Sequence, residues 1–265
     1  MPERRPRLEG KVAIVTGGGS RGAGVGNGKA TAVLFAREGA RVLVVDRVQD
    51  RIDDTLAMIK GEGGIASGFV GDVTRLADCE AMVAAAVERY GRLDILHNNV
   101  GIDSATASVV DMDLGEYDAV MNVNVKSIVL TGRAAIPQMA KQGGGAITNI
   151  SSIAAIRPRG MDAYSTSKAA VIGLTQAMAI SHAAEHIRVN AILPGPVYTP
   201  MVSSDGMSEK LRDGRRMSTP LMTEGTAWDI GWAAVFLASD EAKWVTGVAL
   251  PVDGGVSVTR RLWQA

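Results

Sequence analysis

The fold of this chain is decided near its start, by the stretch Val12-Ala13-Ile14-Val15-Thr16-Gly17-Gly18-Gly19-Ser20-Arg21-Gly22-Ala23-Gly24-Val25-Gly26-Asn27-Gly28. Its first five residues are mostly apolar and β-branched, which is typical of a buried strand. The glycine-rich turn leads into Lys29–Glu38, where apolar residues have helical spacing. Glycines at such a junction let the backbone approach a pyrophosphate, and the start of the helix favours its negative charge. The stretch therefore predicts a dinucleotide-binding unit.

The alternation of short apolar runs and longer helical segments continues along the chain. The predicted strands are Val12–Thr16, Arg41–Asp46, Ala66–Asp72, Leu93–Asn98, Ala146–Ile150, Arg188–Leu193 and Val248–Val252. Helical spacing is clearest in Lys29–Glu38, Leu76–Tyr90, Tyr117–Lys141, Tyr164–Ala184 and Thr226–Ser239. This order predicts right-handed crossovers and a parallel sheet with helices on both faces. We expect one α/β domain over residues 1–265, a ligand crevice at the carboxyl ends of the strands, and a lid over residues 198–226, where the period is lost.

Composition argues against several other classes of protein. Of the 265 residues, 28 are Lys or Arg and 28 are Asp or Glu, so no net charge attracts nucleic acid or a membrane surface. Cys79 is the only cysteine, which excludes a disulfide framework and a cysteine-based zinc site. No apolar run approaches the roughly 18 residues of a membrane span, and the charged start has no apolar signal region. We expect a cytoplasmic protein.

An acidic residue at the end of the second predicted strand completes the dinucleotide-binding pattern. Asp46 lies 18 residues after Gly28, and its carboxylate can accept hydrogen bonds from both hydroxyls of an adenosine ribose. A helix cap or a solvated strand end is the alternative. A 2′-phosphate beside Asp46 would be repelled by several kcal/mol, although Arg47 and Arg21 could soften that repulsion. The sequence favours NAD over NADP and leaves NADP open.

A tyrosine and a lysine one helical turn apart form a second candidate site. Tyr164 and Lys168 lie at i and i+4 and so share a helix face. Free tyrosine has a pKa of about 10 and is a poor base at neutral pH. A neighbouring ammonium group and an oxidised nicotinamide would both favour the phenolate. About a dozen residues upstream, Ser151 and Ser152 end a predicted strand and bring a hydroxyl to the edge of the crevice.

Taken together, these motifs resemble the short-chain dehydrogenase/reductase family. The matching residues are the glycine-rich turn, Asn98-Asn99-Val100-Gly101, Asn124, Ser152, Tyr164 with Lys168, and Pro194-Gly195-Pro196 followed by Thr199. Their order and spacing fit from Lys11 to Gly255. The resemblance implies a Rossmann-type, doubly wound sheet of seven parallel strands. It also implies reversible hydride transfer between a nicotinamide and a secondary alcohol or ketone.

The resemblance also implies a role for individual residues. Tyr164 is similar to the catalytic acid/base, Lys168 to the residue that lowers the pKa of that tyrosine and holds the nicotinamide ribose, and Ser152 to the group that binds the substrate oxygen. Asn124 is similar to the residue that holds a water behind the lysine. Asp72 and Val73 would contact the adenine, and Val197 and Thr199 would face the carboxamide. The implied cofactor-binding set is Gly17, Gly26, Asn27, Gly28, Asp46, Asp72, Val73, Asn98, Gly101, Tyr164, Lys168, Pro194, Val197 and Thr199.

The chain departs from the family pattern at two points. Eight residues separate Gly17 from Gly26, which makes the turn longer than is usual in the family. We expect the extra residues 21–25 to bulge near the cofactor phosphates, wrap the adenosine side and add backbone donors. Ser152 precedes Tyr164 by 12 residues, one fewer than is usual. Either the intervening loop is shorter or Ser151 takes the catalytic place, and the Ile-Ala-Ala that follows favours Ser152.

Several other side chains have a simple and a functional interpretation. His182 and His186 could share a metal, but no third ligand is near in sequence, so we predict no metal site. His97 and Cys79 are expected to pack in the core. The arginines of two predicted loops could hold an acidic substrate, although solvated loops are the simpler interpretation; they are Arg157, Arg159, Arg212, Arg215 and Arg216. Methionines in the lid suit an adaptable pocket roof; they are Met201, Met207, Met217 and Met222.

Two other functions fit the same fold. An epimerase or dehydratase usually has a larger C-terminal substrate portion, and a catalytically silent dinucleotide-binding sensor typically lacks the tyrosine or the lysine. The presence of both residues favours an oxidoreductase. The resemblance further implies a homodimer or homotetramer, with interfaces at Tyr117–Lys141, at Tyr164–Ala184 and around Val248–Val252. We expect Arg260–Ala265 to dock on a neighbouring subunit.

Overall fold

A seven-stranded, entirely parallel sheet forms the centre of the structure, a computed structural model that describes residues 5–22, 24–203 and 206–259. Its strands are β1 (Val12–Thr16), β2 (Arg41–Asp46), β3 (Ala66–Val70), β4 (Ile95–Asn98), β5 (Gly145–Ile150), β6 (Ile187–Pro194) and β9 (Ala249–Val252). Their spatial order is β3-β2-β1-β4-β5-β6-β9. A separate two-stranded ribbon pairs β7 (Val197–Tyr198) with β8 (Gly225–Thr226). The predicted fold class is confirmed.

Helices follow most strands and cover both faces of the sheet. They are α1 (Asn27–Arg37), α2 (Gln49–Gly61), α3 (Leu76–Tyr90), α4 (Leu114–Met121), α5 (Ser127–Lys141), α6 (Asp162–Ser181), α7 (Pro200–Ser203), α8 (Glu209–Met217) and α9 (Ala227–Ala238). Four of the five predicted helices are present with ends that differ by a few residues, and the fifth, Tyr117–Lys141, is divided into α4 and α5. The helix α2, which the sequence analysis did not single out, completes the unit between β2 and β3.

The central strands have apolar side chains on both faces because helices bury both faces. Ala13 and Val15 of β1 belong to the core beneath α1, α2 and α9. Val12 and Ile14 of the same strand belong to the opposite core, beneath α3, α5 and α6. All four side chains are fully buried. Burial of a valine or isoleucine stabilises a fold by about 1.5–3 kcal/mol, so these two cores hold the sheet in place.

The order of the strands creates a crevice at the centre of the sheet. The chain builds outward from β1 to β3, returns to pair β4 with the other side of β1, and then builds outward again to β9. The connections after β1 and β4 therefore leave in opposite directions. In open α/β sheets, ligands bind at this point, outside the carboxyl ends of the strands. Gly17 follows β1 and Asn99 follows β4 at that edge.

Two predicted segments differ in their internal structure. The third strand ends at Val70 rather than at Asp72, because Asp72 and Thr74 form a turn in which the Asp72 carboxylate accepts the Thr74 backbone N–H at 2.9 Å. The lid, predicted without regular structure, contains α7, α8 and the strand β8. Within the described ranges, no helix combines the length and the apolar character that a membrane crossing needs.

Candidate active site

One cleft of about 590 Å³ lies at the carboxyl edge of the sheet. Most of the residues predicted for cofactor binding line it, namely Gly17, Gly26, Asn27, Gly28, Asp46, Asp72, Val73, Gly101, Tyr164, Lys168, Pro194, Val197 and Thr199. Ser152 lines it as well. The structure therefore brings together residues that are more than 150 positions apart in the sequence. The glycine-rich turn and the tyrosine–lysine pair therefore line the same cleft.

The glycine-rich turn packs tightly against the end of β1. Gly17 has a φ of +60°, which favours glycine. A Cβ at Gly28 would lie 2.0 Å from the Gly17 carbonyl oxygen, so α1 reaches this position only with glycine there. The side chain of Asn99 donates through Nδ2 to the same carbonyl oxygen at 3.0 Å. Asn99, which the sequence analysis did not assign to the site, thus ties the end of β4 to the turn.

The structure places Asn98 differently from Asn99. The Asn98 side chain is buried in the sheet, where its Nδ2 donates to Asn149 Oδ1 at 2.9 Å and its Oδ1 accepts from Thr131 Oγ1 at 2.9 Å. At this point the cleft is lined by Asn99, Val100 and Gly101. The Asn98 side chain therefore joins β4, β5 and α5, and of this asparagine pair it is Asn99 that faces the cleft.

The described residues of the long turn join its two ends and reach the lid. Ser20 is buried, and its Oγ accepts the backbone N–H of Gly26 at 3.1 Å, which closes the base of the loop. Gly24 has a φ of +111°, and a Cβ there would lie 3.3 Å from Pro200 Cγ in α7. Arg21 lines the cleft and is exposed. The long turn therefore contacts the lid at Gly24. The predicted bulge near the cofactor phosphates, the wrap around the adenosine side and the added backbone donors stay predictions.

Asp46 lies at the end of β2 with its carboxylate in the cleft. Its Oδ1 accepts the backbone N–H of Val48 at 3.1 Å and lies 4.0 Å from Arg51 Nη1. A Cβ at Gly19 would be 2.8 Å from Asp46 Oδ2, so the turn passes directly over this carboxylate. The Arg51 side chain, which the sequence analysis did not consider, therefore lies within ion-pair distance of Asp46.

Asp72 forms the neighbouring acidic corner of the cleft. Its Oδ1 accepts from both the backbone N–H and the hydroxyl of Thr74, at 2.9 and 2.7 Å. Arg47 Nη1 lies 3.7 Å from Asp72 Oδ2, so this arginine contacts Asp72 and not Asp46. Burial opposes ionisation of Asp72, but the hydrogen bonds from Thr74 and the charge of Arg47 together lower its pKa below the usual value. Asp72 is accordingly an ionised hydrogen-bond acceptor in the turn that follows β3.

Tyr164, Ser152 and Lys168 meet on one wall of the cleft. The Ser152 hydroxyl forms a hydrogen bond with the Tyr164 side chain, and Ser152 Oγ also accepts the backbone N–H of Ala154 at 3.1 Å. Lys168 is buried, and its Nζ donates to the Ile150 carbonyl oxygen at 3.0 Å. The same Nζ lies 5.6 Å from the centre of the Tyr164 ring. This arrangement follows from the i, i+4 spacing on α6 and from the end of β5 beside it.

Ser151 and Ser152, the two serines that follow β5, have different contacts. Ser151 is buried, and its hydroxyl donates to the Lys168 carbonyl oxygen at 2.7 Å, so it fastens β5 to α6. Ser152 is partly exposed in the cleft and is the serine that hydrogen-bonds Tyr164. Ser152 is therefore placed to touch a substrate, whereas the hydroxyl of Ser151 is occupied by the backbone.

Burial dominates the electrostatics of the pair. It raises the pKa of Tyr164; the hydrogen bond from Ser152 lowers that pKa in part, and the nearby carboxylate of Asp103 raises it further. Burial lowers the pKa of Lys168 to about 8. The lowering of the Tyr164 pKa by Lys168 and a bound nicotinamide, which the family resemblance implies, stays a prediction. In the structure itself, Tyr164 is a protonated phenol at neutral pH.

Asn124 is held in a π-helical turn between α4 and α5. The predicted helix Tyr117–Lys141 is interrupted by this turn, Asn122–Lys126, which directs the Asn124 side chain inward. Its amide bridges both backbone groups of Ile102, at 2.8 and 2.9 Å, and donates to Ser167 Oγ at 2.9 Å. Such turns are frequent at functional sites. Asn124 thereby joins the loop after β4 to the helix that carries Tyr164.

Gly101 leaves space beside the ammonium group of Lys168 because it has no side chain. A Cβ at Gly101 would lie 3.1 Å from Lys168 Nζ and 3.4 Å from Asn124 Oδ1. A larger residue would therefore push against the ammonium group or the amide. Gly101 is thus fitted to its place by close approach, in agreement with its predicted position in the site.

The lid contributes less apolar surface than its methionines suggested. Met201 lines the cleft, whereas Met217 and Met222, which are about half exposed, do not. The lid arginines also separate into two groups. Arg212 and Arg216 form surface ion pairs with Glu224 and Asp213, but Arg215 lines the cleft, as do Arg157 and Arg159 of the other loop.

The three histidines and Cys79 have the following contacts within the protein. His97 is fully buried in β4, as predicted, and its ring meets Phe35 edge to face at 6.0 Å between centroids. His182 Nδ1 lies 3.6 Å from Glu185 Oε2, and His186 ends the short 3₁₀ helix with a φ of +58°. In the part of the chain that the structure describes, no three metal-ligating side chains cluster together. Cys79 is a buried free thiol whose Sγ lies 3.4 Å from the Val73 carbonyl oxygen.

Comparisons with known proteins place this fold and site in a family. A family model described as enoyl-(acyl carrier protein) reductase matches residues 22–257. The chain is 39% identical to a 3-oxoacyl-(acyl-carrier-protein) reductase of Thermotoga maritima, over 95% of this chain and 100% of the relative. It is 35% identical to dehydrogenase/reductase SDR family member 4 of Sus scrofa, over 96% of this chain and 90% of the relative.

A solved structure gives the same result at the level of the fold. The structure of 7α-hydroxysteroid dehydrogenase complexed with NADH and 7-oxo glycochenodeoxycholic acid matches with a TM-score of 0.86 and 35% identity, over 95% of this chain and 96% of the other. The chain belongs to the short-chain dehydrogenase/reductase family. As a member of that family it is an NAD(P)-dependent oxidoreductase that acts on a small molecule.

The residues of the cleft fit a nicotinamide dinucleotide. The first residues of α1 line the cleft, and the N-terminus of α1 has no side-chain cap, so its backbone N–H groups face an incoming pyrophosphate. Asn27 Oδ1 is buried there and has no hydrogen-bond partner among the described residues. Gly17, Gly19 and Gly28 keep the wall clear of side chains, and Asp46, the predicted ribose acceptor, lines the same cleft. A bound nicotinamide would supply or accept the hydride.

Proposed function

We propose that this protein is an NAD-dependent alcohol dehydrogenase or ketone reductase in which Tyr164 is the acid/base. The observation that carries the proposal is the meeting of Tyr164, Ser152 and Lys168 in the cleft that the dinucleotide-binding turn also lines. Lys168 is fixed by the Ile150 carbonyl oxygen. Such a site can hold a carbonyl or hydroxyl group and move a proton at its oxygen while hydride moves at its carbon.

The chain's own residues divide the proton chemistry between them. Ser152 is exposed in the cleft beside the phenol, so its hydroxyl can hydrogen-bond a substrate oxygen. Tyr164 donates its proton to that oxygen during reduction and removes it during oxidation. Because burial raises the pKa of Tyr164, the phenol is protonated at neutral pH and ready to act as an acid. We therefore expect carbonyl reduction to be favoured near neutrality and alcohol oxidation to accelerate as the pH rises.

The supporting frame around the pair is Asn124 and Ser167. Asn124 donates to Ser167 Oγ, and the Ser167 hydroxyl donates to the Tyr164 carbonyl oxygen at 2.7 Å. This chain of hydrogen bonds holds α6 at a fixed distance from the loop after β4. We assign Asn124 to the site as the residue that fixes this frame behind Lys168.

NAD is the cofactor that the adenosine end favours. The Asp46 carboxylate lies under the turn, where it can accept from ribose hydroxyls and would repel a 2′-phosphate. Arg47 is directed to Asp72, so it does little to offset that repulsion. Arg51 lies 4.0 Å from Asp46 and partly neutralises it. The Asp46 carboxylate supports NAD, and the arginines that line the same cleft, Arg21, Arg47 and Arg51, weaken that support.

Self-association, which the family resemblance implies, has support in the exposed apolar side chains. Val129 of α5 is 46% exposed and Ile180 of α6 is 81% exposed, on the two helices expected to form one interface. Trp244, just before β9, is 97% exposed. We propose that these side chains are covered in a homodimer or homotetramer, whose mass light scattering would measure. Arg260–Ala265, predicted to dock on a neighbouring subunit, lie outside the described residues.

The substitution Tyr164→Phe tests the proposed chemistry. It removes the proton donor and keeps the ring, so we expect turnover of any active ketone to fall by at least about a hundredfold. NADH binding, measured by the fluorescence of the nicotinamide, is expected to change by much less. Turnover is measured by nicotinamide absorbance against a panel of cyclic, steroidal, sugar and 3-oxoacyl ketones.

Tyr117→Phe is the matched control. Tyr117 lies on α4 and does not line the cleft, so its loss of a hydroxyl should leave turnover unchanged. Unimpaired turnover in Tyr164→Phe would remove this tyrosine from the mechanism. Tight NADH binding without turnover of any ketone in the panel would leave two possibilities, a substrate outside the panel or the dinucleotide-binding sensor.

A further inference from the structure

Three arginines gather at the substrate end of the cleft. Arg157 and Arg159 lie in the loop between Ser152 and the start of α6, and Arg215 projects from α8 in the lid. All three line the cleft together with Tyr164. No step of the proposed proton chemistry uses them, and a neutral ketone or alcohol has no need of them.

Arg215 is the arginine that is built into the wall. Its Nη2 donates to the carbonyl oxygen of Val197 at 3.1 Å, at the start of the lid's ribbon. Its Nε is buried and has no hydrogen-bond partner among the described residues. Burial lowers the pKa of Arg215, and the positive charge of Arg159 lowers it further while Glu224 opposes the change. A half-buried guanidinium thus has an unused donor and a second cation beside it.

The neighbouring charges do not supply the missing acceptor. Glu224 is held by Arg212 through bonds from Nε at 2.9 Å and Nη2 at 2.6 Å, so its oxygens are engaged outside the cleft. Arg157 uses its Nη1 on the carbonyl oxygens of Val256 and Thr259. Asp103 lines the cleft too, where its negative charge helps to raise the pKa of Tyr164.

We propose that Arg215, with Arg159 beside it, binds a carboxylate group of the substrate. The substrate is then an oxo acid or hydroxy acid and not a neutral ketone or alcohol. A guanidinium presents its N–H groups in a planar fork that matches a carboxylate, and such charge-assisted bonds are the strong ones. A carboxylate would satisfy the buried Nε and offset the repulsion between the two arginines. The inference rests on the proposed function for the reacting end of the substrate only.

The test uses matched acids and esters as probes. The acids are pyruvate, 4-oxopentanoate and 4-acetylbenzoate, and each is compared with its methyl ester. Binding to the full-length protein saturated with oxidised NAD, where no ketone can react, is measured by calorimetry. Turnover with NADH is measured separately, so the anion site and the chemistry have independent readouts.

The variants separate the role of Arg215 from a general effect of charge. Arg215→Met removes the guanidinium, and we expect it to weaken binding of the preferred acid by about tenfold or more while the ester is little affected. Arg215→Lys keeps the charge without the fork and is expected to restore part of the binding. Arg216→Met is the control, because Arg216 points to Asp213 at the surface and does not line the cleft.

The outcomes are distinct. Tighter binding of at least one acid than of its ester, lost in Arg215→Met and kept in Arg216→Met, supports the carboxylate site even if no probe is turned over; that last result would count against the proposed reaction alone. If no acid binds more tightly than its ester, or if Arg215→Met weakens both equally, the carboxylate site is wrong.

Discussion

At the scale of single residues, His97 shows what burial alone does to a titratable group. The ring is fully buried in β4, and neither of its nitrogens has a hydrogen-bond partner among the described residues. Burial lowers the pKa of His97 to about 3. The neutral ring packs edge to face on Phe35, so the side chain behaves as an aromatic core residue.

We expect His97 to make the protein sensitive to acid. The folded-state pKa lies below the unfolded value of about 6.5, so between those values the unfolded chain takes up a proton that the native protein does not. Stability is therefore complete above about pH 6.5 and falls by about 1.4 kcal/mol for each pH unit below it. Denaturant unfolding at several pH values measures this slope.

Two variants separate the charge of His97 from its packing. His97→Leu and His97→Phe cannot take up a proton, so both should lose this part of the acid slope, whatever their stability at neutral pH. A wild-type slope retained in both variants would show that other groups cause the acid sensitivity.

The proposed reacting residues could be selected from the sequence because they are close together in it. Tyr164 and Lys168 are one helical turn apart, and Ser152 is the second residue after β5. These side chains therefore meet at the crevice once α6 and β5 have formed. Arg215 could not be assigned in this way. Its neighbours in the site, Val197 and Arg159, are far from it in sequence, and three arginines in one lid look alike until α8 selects which of them faces inward.

At the scale of the elements, the long turn after β1 joins the cofactor site to the lid. Ser20 and Gly26 close its base, and Gly24 contacts Pro200 at the start of α7. Arg21 and Gly26 line the cleft. We expect a loop in this place to add backbone N–H groups near the cofactor phosphates while it contacts the lid.

Deletion of residues 21–25 is expected to weaken NADH binding, because it removes this loop from the wall of the cleft. Ser20→Ala, which removes only the closing hydrogen bond, should weaken it less. The dissociation constants are measured by nicotinamide fluorescence, and thermal melting checks that both variants fold. A dissociation constant that the deletion leaves unchanged would mean that the loop takes no part in cofactor binding.

The helix before the active site shows where sequence patterns reach their limit. Tyr117–Lys141 reads as one helix, yet the π-turn at Asn122–Lys126 adds a residue to one turn. Apolar spacing is nearly the same with and without such a turn, so periodicity does not reveal it. The turn forms because Asn124 finds three hydrogen bonds to Ile102 and Ser167, which are contacts between distant segments.

At the scale of the whole molecule, the sheet divides the site between its two halves. The strands β1 to β3 supply the glycine turn, Asp46 and Asp72, and the strands β4 to β6 supply the ends that position Ser152, Tyr164 and Lys168. The seven strands were predictable because buried parallel strands are continuous apolar runs. A ligand that spans the cleft contacts both halves, so its binding is coupled to the stability of the entire fold.

Cofactor preference can therefore be read from the stability of the whole protein. At a free concentration of a hundred times the dissociation constant, a ligand that binds only the native state stabilises it by about 2.7 kcal/mol. We expect NADH to raise the melting temperature more than NADPH at equal concentration, because the 2′-phosphate meets the Asp46 carboxylate.

Asp46→Ala removes both the ribose acceptor and the repelling charge, so it should lower the NADH shift and raise the NADPH shift. Asp50→Ala, an exposed position of α2 outside the cleft, should change neither. Equal shifts for the two cofactors in the wild-type protein would contradict the NAD preference. High salt should narrow the difference, since the part that depends on charge is screened.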